Sequence, residues 1–225
     1  MNAEARKIRI AFFGDDFSRR ARGTALVVQR IAEELVERYS SEVEVVLLRP
    51  PGACRSTICK TVRSVIIPRK FSTLLSYAWF FLVHREPYDV VVFNRVVYPG
   101  FWMLNAKKRV FIAHDASESE VYSVPRTSVN ALFEWFAKLG KRSLDVVIGV
   151  SHDARERIVR YYRIPEEKVR ALYLAAGDEY RMFSGSEKQN VRGKFSRAPY
   201  ILDVSRFDPH KNIERVLDAF FILKK

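Results

Sequence analysis

The sequence is short of cysteine, of acidic residues and of long apolar runs, and each shortage removes a class of protein. Two cysteines, Cys54 and Cys59, are too few for a disulfide framework, and no histidine or cysteine cluster stands beside them at metal-ligand spacing. Reduced thiols in a cytoplasmic setting are the expectation. The longest apolar stretch, Phe71 to Val83, falls short of the roughly 20 residues that span a bilayer. The lead MNAEARKIRIAFFGDD passes from a short polar segment straight into a strand, without the apolar region of a signal peptide. A soluble chain, or one peripheral to a membrane, is therefore expected. Acidic residues number 26 against 39 Lys and Arg, a formal charge of +13. That excess suits an anionic partner: nucleic acid, an anionic membrane surface or a phosphorylated substrate. Nucleic acid is the least favoured, because no helix-turn-helix, zinc-finger or RNA-platform pattern accompanies the charge.

What is present is an alternation of strand and helix patterns. With 225 residues and 48% apolar composition, the chain can bury one large core or two small ones. Ile8 to Phe13 is a buried-type strand, followed by the polar loop Gly14 to Gly23 and then TALVVQRIAEELVERY, apolar at helical spacing. Val43 to Leu48 and Val62 to Ile67 are the next strands, separated by PPGACRSTICK, a loop or short irregular segment. Phe71 to His84 reads as a helix apolar nearly all round, which is either deeply buried or applied to an apolar surface. Tyr88 to Phe93 and Arg109 to Ala113 are further strands, the second delivering His114 and Asp115 to its end. A helix follows over Ser128 to Gly140, then a strand in LDVVIGV, then a helix from His152 with Ser151 as its N-cap. This order predicts an α/β fold with a doubly wound, Rossmann-like parallel sheet. Gly14 and Gly23 lack the spacing of G-x-G-x-x-G, so a nicotinamide or flavin enzyme is disfavoured.

The charge is uneven. Between Arg49 and Arg109 there are eleven Lys or Arg and only two acids, Glu86 and Asp89, and the same window is rich in aromatic residues, among them Tyr77, Trp79, Phe80, Phe81 and Trp102. Basic groups with interfacial aromatics fit an anionic membrane surface, each cation contributing on the order of 1 kcal/mol.

The C-terminal stretch has its own strand, loop and helix: Tyr200 to Ser205, Arg206 to Lys211 and Asn212 to Leu223. Arg206 and Lys211 stand at the two ends of the loop, where a strand's carboxyl end meets a helix N-terminus. That crevice favours anions, and two cations there suit a diphosphate.

SRFDPHKNIERVLDAFFILKK resembles the opening of the donor-binding domain of family-4 retaining glycosyltransferases of the GT-B fold. The resemblance implies that Arg206 and Lys211 clasp the diphosphate of a nucleotide-sugar and serve as catalytic cations, with Ser205 where the family usually has glycine. Gly23, ahead of Thr24, matches the loop whose backbone meets donor phosphate or acceptor. VFIAHD matches the segment that places a histidine beside the donor sugar. His114 would then hydrogen-bond the sugar and stabilise charge near the anomeric centre, rather than act as a general base. Gly177 and Phe183 fall where the family has a glycine and a closing phenylalanine. The organisation implied is a Rossmann-like acceptor-binding domain over residues 1–183, a linker over 184–197, and over 198–225 the first strand and helix of an incomplete second α/β domain, the donor-binding one. The resemblance covers only about the first half of such an enzyme, and the family's paired-glutamate motif has no residues here to fall on.

The implied activity is transfer of a sugar, mannose or glucose, from a nucleotide-sugar to a carbohydrate or lipid-linked acceptor with retention of configuration. No metal or other cofactor is expected, the cations taking the place of a divalent ion. The implied location is cytoplasmic, peripheral to the inner face of the membrane. A different class of reading is a non-catalytic module that holds an acceptor or a partner subunit.

Overall fold

The computed structural model describes residues 6–14, 23–52, 54, 56–68, 73–94, 100–114, 139–177, 180–189, 200–205 and 211–224. The chain divides into two units, Met1–Ala175 and Ala176–Lys225.

The first unit is built on seven parallel strands: β1 (Ile8–Phe13), β2 (Val43–Arg49), β3 (Arg63–Ile66), β4 (Tyr88–Phe93), β5 (Ala106–Ala113), β6 (Val146–Gly149) and β7 (Val169–Ala171). Their order across the sheet is β3-β2-β1-β4-β5-β6-β7. The chain starts in the middle, winds outward through β2 and β3, then returns to wind the other way from β4. This is the doubly wound arrangement expected from the sequence, with its switch point between β1 and β4. Parallel strands covered on both faces must be apolar on both, which explains runs such as VVLL and VVVF.

Alternation along the strands sorts the core into two layers. Phe12, Leu47, Val92 and Ile112 face α1 (Thr24–Tyr39), which contributes Val28 and Ala32, and α2 (Ile58–Thr61), which contributes Ile58. Phe13, Leu48, Phe93, Phe111 and Val147 face the other way, toward α3 (Thr73–Val83), a 3-10 turn at Phe101–Met103 and α4 (His152–Tyr162). In this second layer Phe13 meets Tyr77 edge-on, with ring centroids 5.3 Å apart, and Phe93 meets Phe101 at 4.9 Å. Each such fully buried aromatic side chain contributes on the order of 2 kcal/mol from burial.

Helix α3 is not buried all round. Tyr77, Phe80 and Phe81 are buried against the sheet, while Leu75, Leu82 and Val83 are 60%, 46% and 43% exposed. Helix α4 begins as expected: the Ser151 hydroxyl accepts a hydrogen bond from the Ala154 amide at 3.0 Å, satisfying one of the free first-turn donors. The expected helix at 128–140 lies outside the described residues except for Leu139 and Gly140, which are helical.

Two local expectations are corrected. PPGACRSTICK contains the short helix α2, and the structure joins Cys54 to Cys59 as a disulfide in place of two reduced thiols. Their Cα atoms are 6.0 Å apart, within the span a disulfide bridges, so five residues of separation suffice here.

In the second unit, α5 (Ile213–Leu223) forms as the pattern predicts. The strand expected at 200–205 joins no ladder among the described residues, since a strand exists only by pairing with a neighbour. Tyr200, Ile201, Leu202 and Val204 are all more than half exposed. Within the stretch read as a linker, residues 185–189 are helical. Ser184 and Glu187 bond each other reciprocally, the Glu187 carboxylate accepting from the Ser184 amide at 2.9 Å, which is the geometry of a capping box.

Candidate active site

The carboxyl ends of β1, β4 and β5 lie side by side, and in doubly wound sheets ligands bind outside that edge at the switch point. Register fixes the neighbours. Phe13 pairs with Phe93, and Phe93 with Phe111, so Gly14 and Asn94 follow at one level and His114 stands just beyond. The Gly14 amide donates to the Leu48 carbonyl at 3.2 Å, which holds the β1 exit against β2.

Gly23 and Thr24 open α1. Gly23 has φ 57° and ψ −125°, a conformation that side-chain-bearing residues seldom adopt, and a Cβ there would meet nothing within 4 Å. Glycine is thus required by the backbone turn and not by crowding. The first turn of α1 carries no acidic residue and, among the described residues, no side-chain cap, so its first N–H groups and the positive end of the helix dipole lie at the carboxyl edge of the sheet.

His114 follows β5 two residues after Ile112, which packs in the layer of α1. Alternation assigns it to the same side of the sheet as α1. Its Nε2 is buried and has no hydrogen-bond partner among the described residues. Burial also lowers its pKa from the ordinary 6.5, so the ring is neutral at neutral pH. A neutral imidazole with a spare nitrogen can donate to or accept from a sugar hydroxyl, and it is a poor proton donor.

Asn94 belongs to no motif in the sequence. It is 6% exposed and sits at the switch point itself. The available signal was a polar residue directly ending the buried run of β4.

Of the remaining expected residues, Arg206 lies outside the described residues. Lys211 is exposed, one residue before Asn212, which precedes α5 in the left-handed conformation and makes no side-chain cap hydrogen bond among the described residues. Gly177 accepts at its carbonyl from the Tyr180 amide, and Phe183 carries the Arg181 guanidinium over its ring at 5.3 Å. Among the described residues no group of three His, Cys, Asp or Glu is placed to hold a metal ion, and no helix is long and apolar enough to cross a membrane.

In comparison with known proteins, residues 21–175 match Glycosyltransferase Family 4. Over 82 residues the chain is 27% identical to a serotype-specific mannosyltransferase, WbdA, of Escherichia coli, covering 35% of this chain and 10% of that protein. Among solved structures, HepE from Anabaena in complex with UDP-glucose superposes with a TM-score of 0.57 at 16% identity, covering 83% of this chain and 49% of the other. A glycosyltransferase from Rickettsia africae gives a TM-score of 0.56 at 17% identity, over 91% and 54% of the two chains. These likenesses identify the fold. The chain spans about half the length of these solved structures and about a tenth of the curated relative.

Proposed function

Since the chain belongs to glycosyltransferase family 4, we propose that it is the acceptor-binding half of a retaining glycosyltransferase with the opening of the donor-binding half attached. The enzyme moves a sugar, mannose or glucose, from a nucleotide-sugar to an acceptor hydroxyl. The observation that carries this reading is the presence, at one sheet edge and among the described residues, of a helix N-terminus without a side-chain cap at Gly23–Thr24 and a buried His114 nitrogen without a hydrogen-bond partner. An anionic group and a sugar hydroxyl are what such a pair can bind together.

In this mechanism the α1 N-terminus holds donor phosphate or acceptor, and the neutral His114 hydrogen-bonds the sugar beside the anomeric centre. Arg206 and Lys211 stabilise the charge growing on the departing diphosphate, an electrostatic contribution that a metal would otherwise make. Supporting relatives are a mannosyltransferase and a protein bound to UDP-glucose, hence the two candidate sugars. The exposed Leu75, Leu82 and Val83 of α3 support a lipid-linked acceptor and a chain peripheral to the cytoplasmic face of a membrane. A second reading is a non-catalytic module that holds an acceptor or a partner.

Calorimetric titration with UDP, GDP, UDP-glucose and GDP-mannose separates these readings, run on this chain and on the protein that carries a full second α/β domain. Nucleotide binding by the longer protein alone supports the division into halves. Tight binding by the first unit alone overturns it. In the longer protein, Arg206→Ala or Lys211→Ala should slow transfer by about 3 kcal/mol in barrier, and full activity in either removes the clasp.

A further inference from the structure

We propose that Cys54 and Cys59 are a reversible thiol–disulfide site, whose oxidised form closes the β2–β3 connection upon itself where it packs on the layer carrying α1. The pair lies beyond the carboxyl end of β2, on the edge of the sheet that holds the candidate site. Cys59 is the second residue of α2, and the Ser56 hydroxyl lies 3.6 Å from its sulfur. Ser56 and Ile58 are buried and hold that turn in place. Both cysteines are only partly buried, so a small reagent can reach them, and both pack against the cluster formed by Ile58 of α2 and Val28 and Ala32 of α1. What happens at the sulfurs is therefore felt by the helix whose first turn faces the switch point.

The exchange partner is a low-molecular-weight disulfide. One protein thiolate attacks it, breaking its S–S bond and releasing one small thiol. The second protein thiolate then displaces the other small thiol from the mixed disulfide. Two protein thiols are oxidised to one disulfide, one small disulfide is reduced to two small thiols, and the two protons pass from the protein to the released thiols. With the link closed, residues 54 and 59 cannot separate, and α2 stays seated against α1. With it open, the packing of Ile58 and the partly buried cysteines and the turn's own hydrogen bonds hold α2 without a covalent limit on the separation of residues 54 and 59.

This inference concerns the thiols alone and does not depend on the sugar chemistry. Its test incubates the protein in glutathione buffers of graded oxidised-to-reduced ratio, quenches with acid, alkylates with N-ethylmaleimide and reads the mass. The expected result is a monomer that loses both adducts together as the ratio rises and regains them with dithiothreitol. Two alkylated cysteines at every ratio, or disulfide-linked dimers in place of the monomer, overturn the site. Hydrogen exchange on reduced and oxidised wild-type protein then reads the coupling. Amides of α2 and of the first turns of α1 should exchange several-fold faster when reduced, and equal rates overturn it. Cys59→Ser should exchange like the reduced protein in both buffers. The wild-type comparison needs no variant, so it decides independently of how that variant folds.

Discussion

Mild acid should destabilise the first unit through two histidines, and the pH window in which it does so identifies them. His84 and His114 both have pKa values below the ordinary 6.5. Burial is the larger cause in each. At His84 the Glu86 carboxylate pulls the other way, and Arg63 and Arg9 reinforce burial. The unfolded chain therefore binds protons below about pH 6.5 that the folded chain refuses, and stability falls as pH drops from 6.5 toward the folded values. Each withheld proton gives a slope of at most about 1.4 kcal/mol per pH unit, so the two together give at most about 2.7. Carboxylates act in another window. Glu86, Asp89 and Asp145 are all lowered below their ordinary values, so the stability they contribute is present above about pH 4.5 and is lost only on further acidification.

Urea unfolding followed by tryptophan fluorescence at constant ionic strength, between about pH 5 and pH 7.5, isolates the histidine contribution. His114→Gln, which keeps a polar group without a titrating ring, should roughly halve the slope, and adding His84→Gln should nearly abolish it. The reasoning is refuted if the double variant keeps the wild-type slope. It is refuted more severely if acid stabilises the wild-type protein, because His114 would then be a held imidazolium, and the neutral hydrogen-bonding role would have no basis.

Gly140→Ala should lower stability by a net of about 1–2 kcal/mol, although alanine is the better helix former by up to about 1 kcal/mol. Gly140 has ordinary helical dihedrals, but a Cβ there would stand 2.7 Å from Cζ of Phe101 and closer still to Cε1, and Phe101 is 1% exposed. A thermally stabilised variant would show that this ring can move aside. For the proposed membrane face, co-sedimentation with vesicles of neutral or anionic phospholipid at low salt should favour the anionic ones, and Leu75→Glu with Leu82→Glu should reduce binding several-fold. Equal binding to both lipids would remove the proposal.

The strands were legible because a parallel sheet covered on both faces demands continuous apolar runs, which few other structures need. β5 shows the limit. The structure starts it at Ala106, three residues before the expected start at Arg109, because Lys108 pairs into the ladder and the two lysines meet carboxylates, Lys107 that of Asp89 and Lys108 that of Asp145. The capping box at Ser184 and Glu187 was hidden in a polar, glycine-containing stretch that carries no apolar period. Pairing of Cys54 with Cys59 was hidden for a different reason: cysteine number speaks to frameworks, whereas a single bridge depends on a local turn. At the site, His114 was legible from its place after a buried strand. Asn94 is the same kind of residue one strand away, but lacked a motif to draw attention to it. The backbone turn that opens α1 was not readable at all, because it depends on a positive φ at Gly23.

The opposite edge of the sheet explains why the basic excess need not mark the site. At the amino ends of the strands Asp89 accepts from the Arg9 backbone amide at 2.9 Å, and Asp145 accepts from the Arg109 backbone amide at 2.9 Å. Each carboxylate grips the start of a neighbouring strand, β4 fixing β1 and the entry to β6 fixing β5. The cations around them are engaged as well: Arg6 and Lys107 with Asp89, Arg9 with Glu44 and Glu86, Arg63 with Glu86, and Lys108 with Asp145. A groove does open there, lined by Arg6, Lys7, Arg9, Glu44 and Pro87. An anion entering it would have to break pairs already made, and the half-buried Arg9 would exchange carboxylate for ligand with little net gain. These pairs are better understood as register locks, since a one-residue slip of β1 would turn Phe12 and Phe13 to the wrong layers and separate Arg9 from Asp89 at once. Among the described residues, the edge that holds a glycine turn, a helix N-terminus without a side-chain cap and a neutral histidine is the one with hydrogen-bonding capacity left for a substrate.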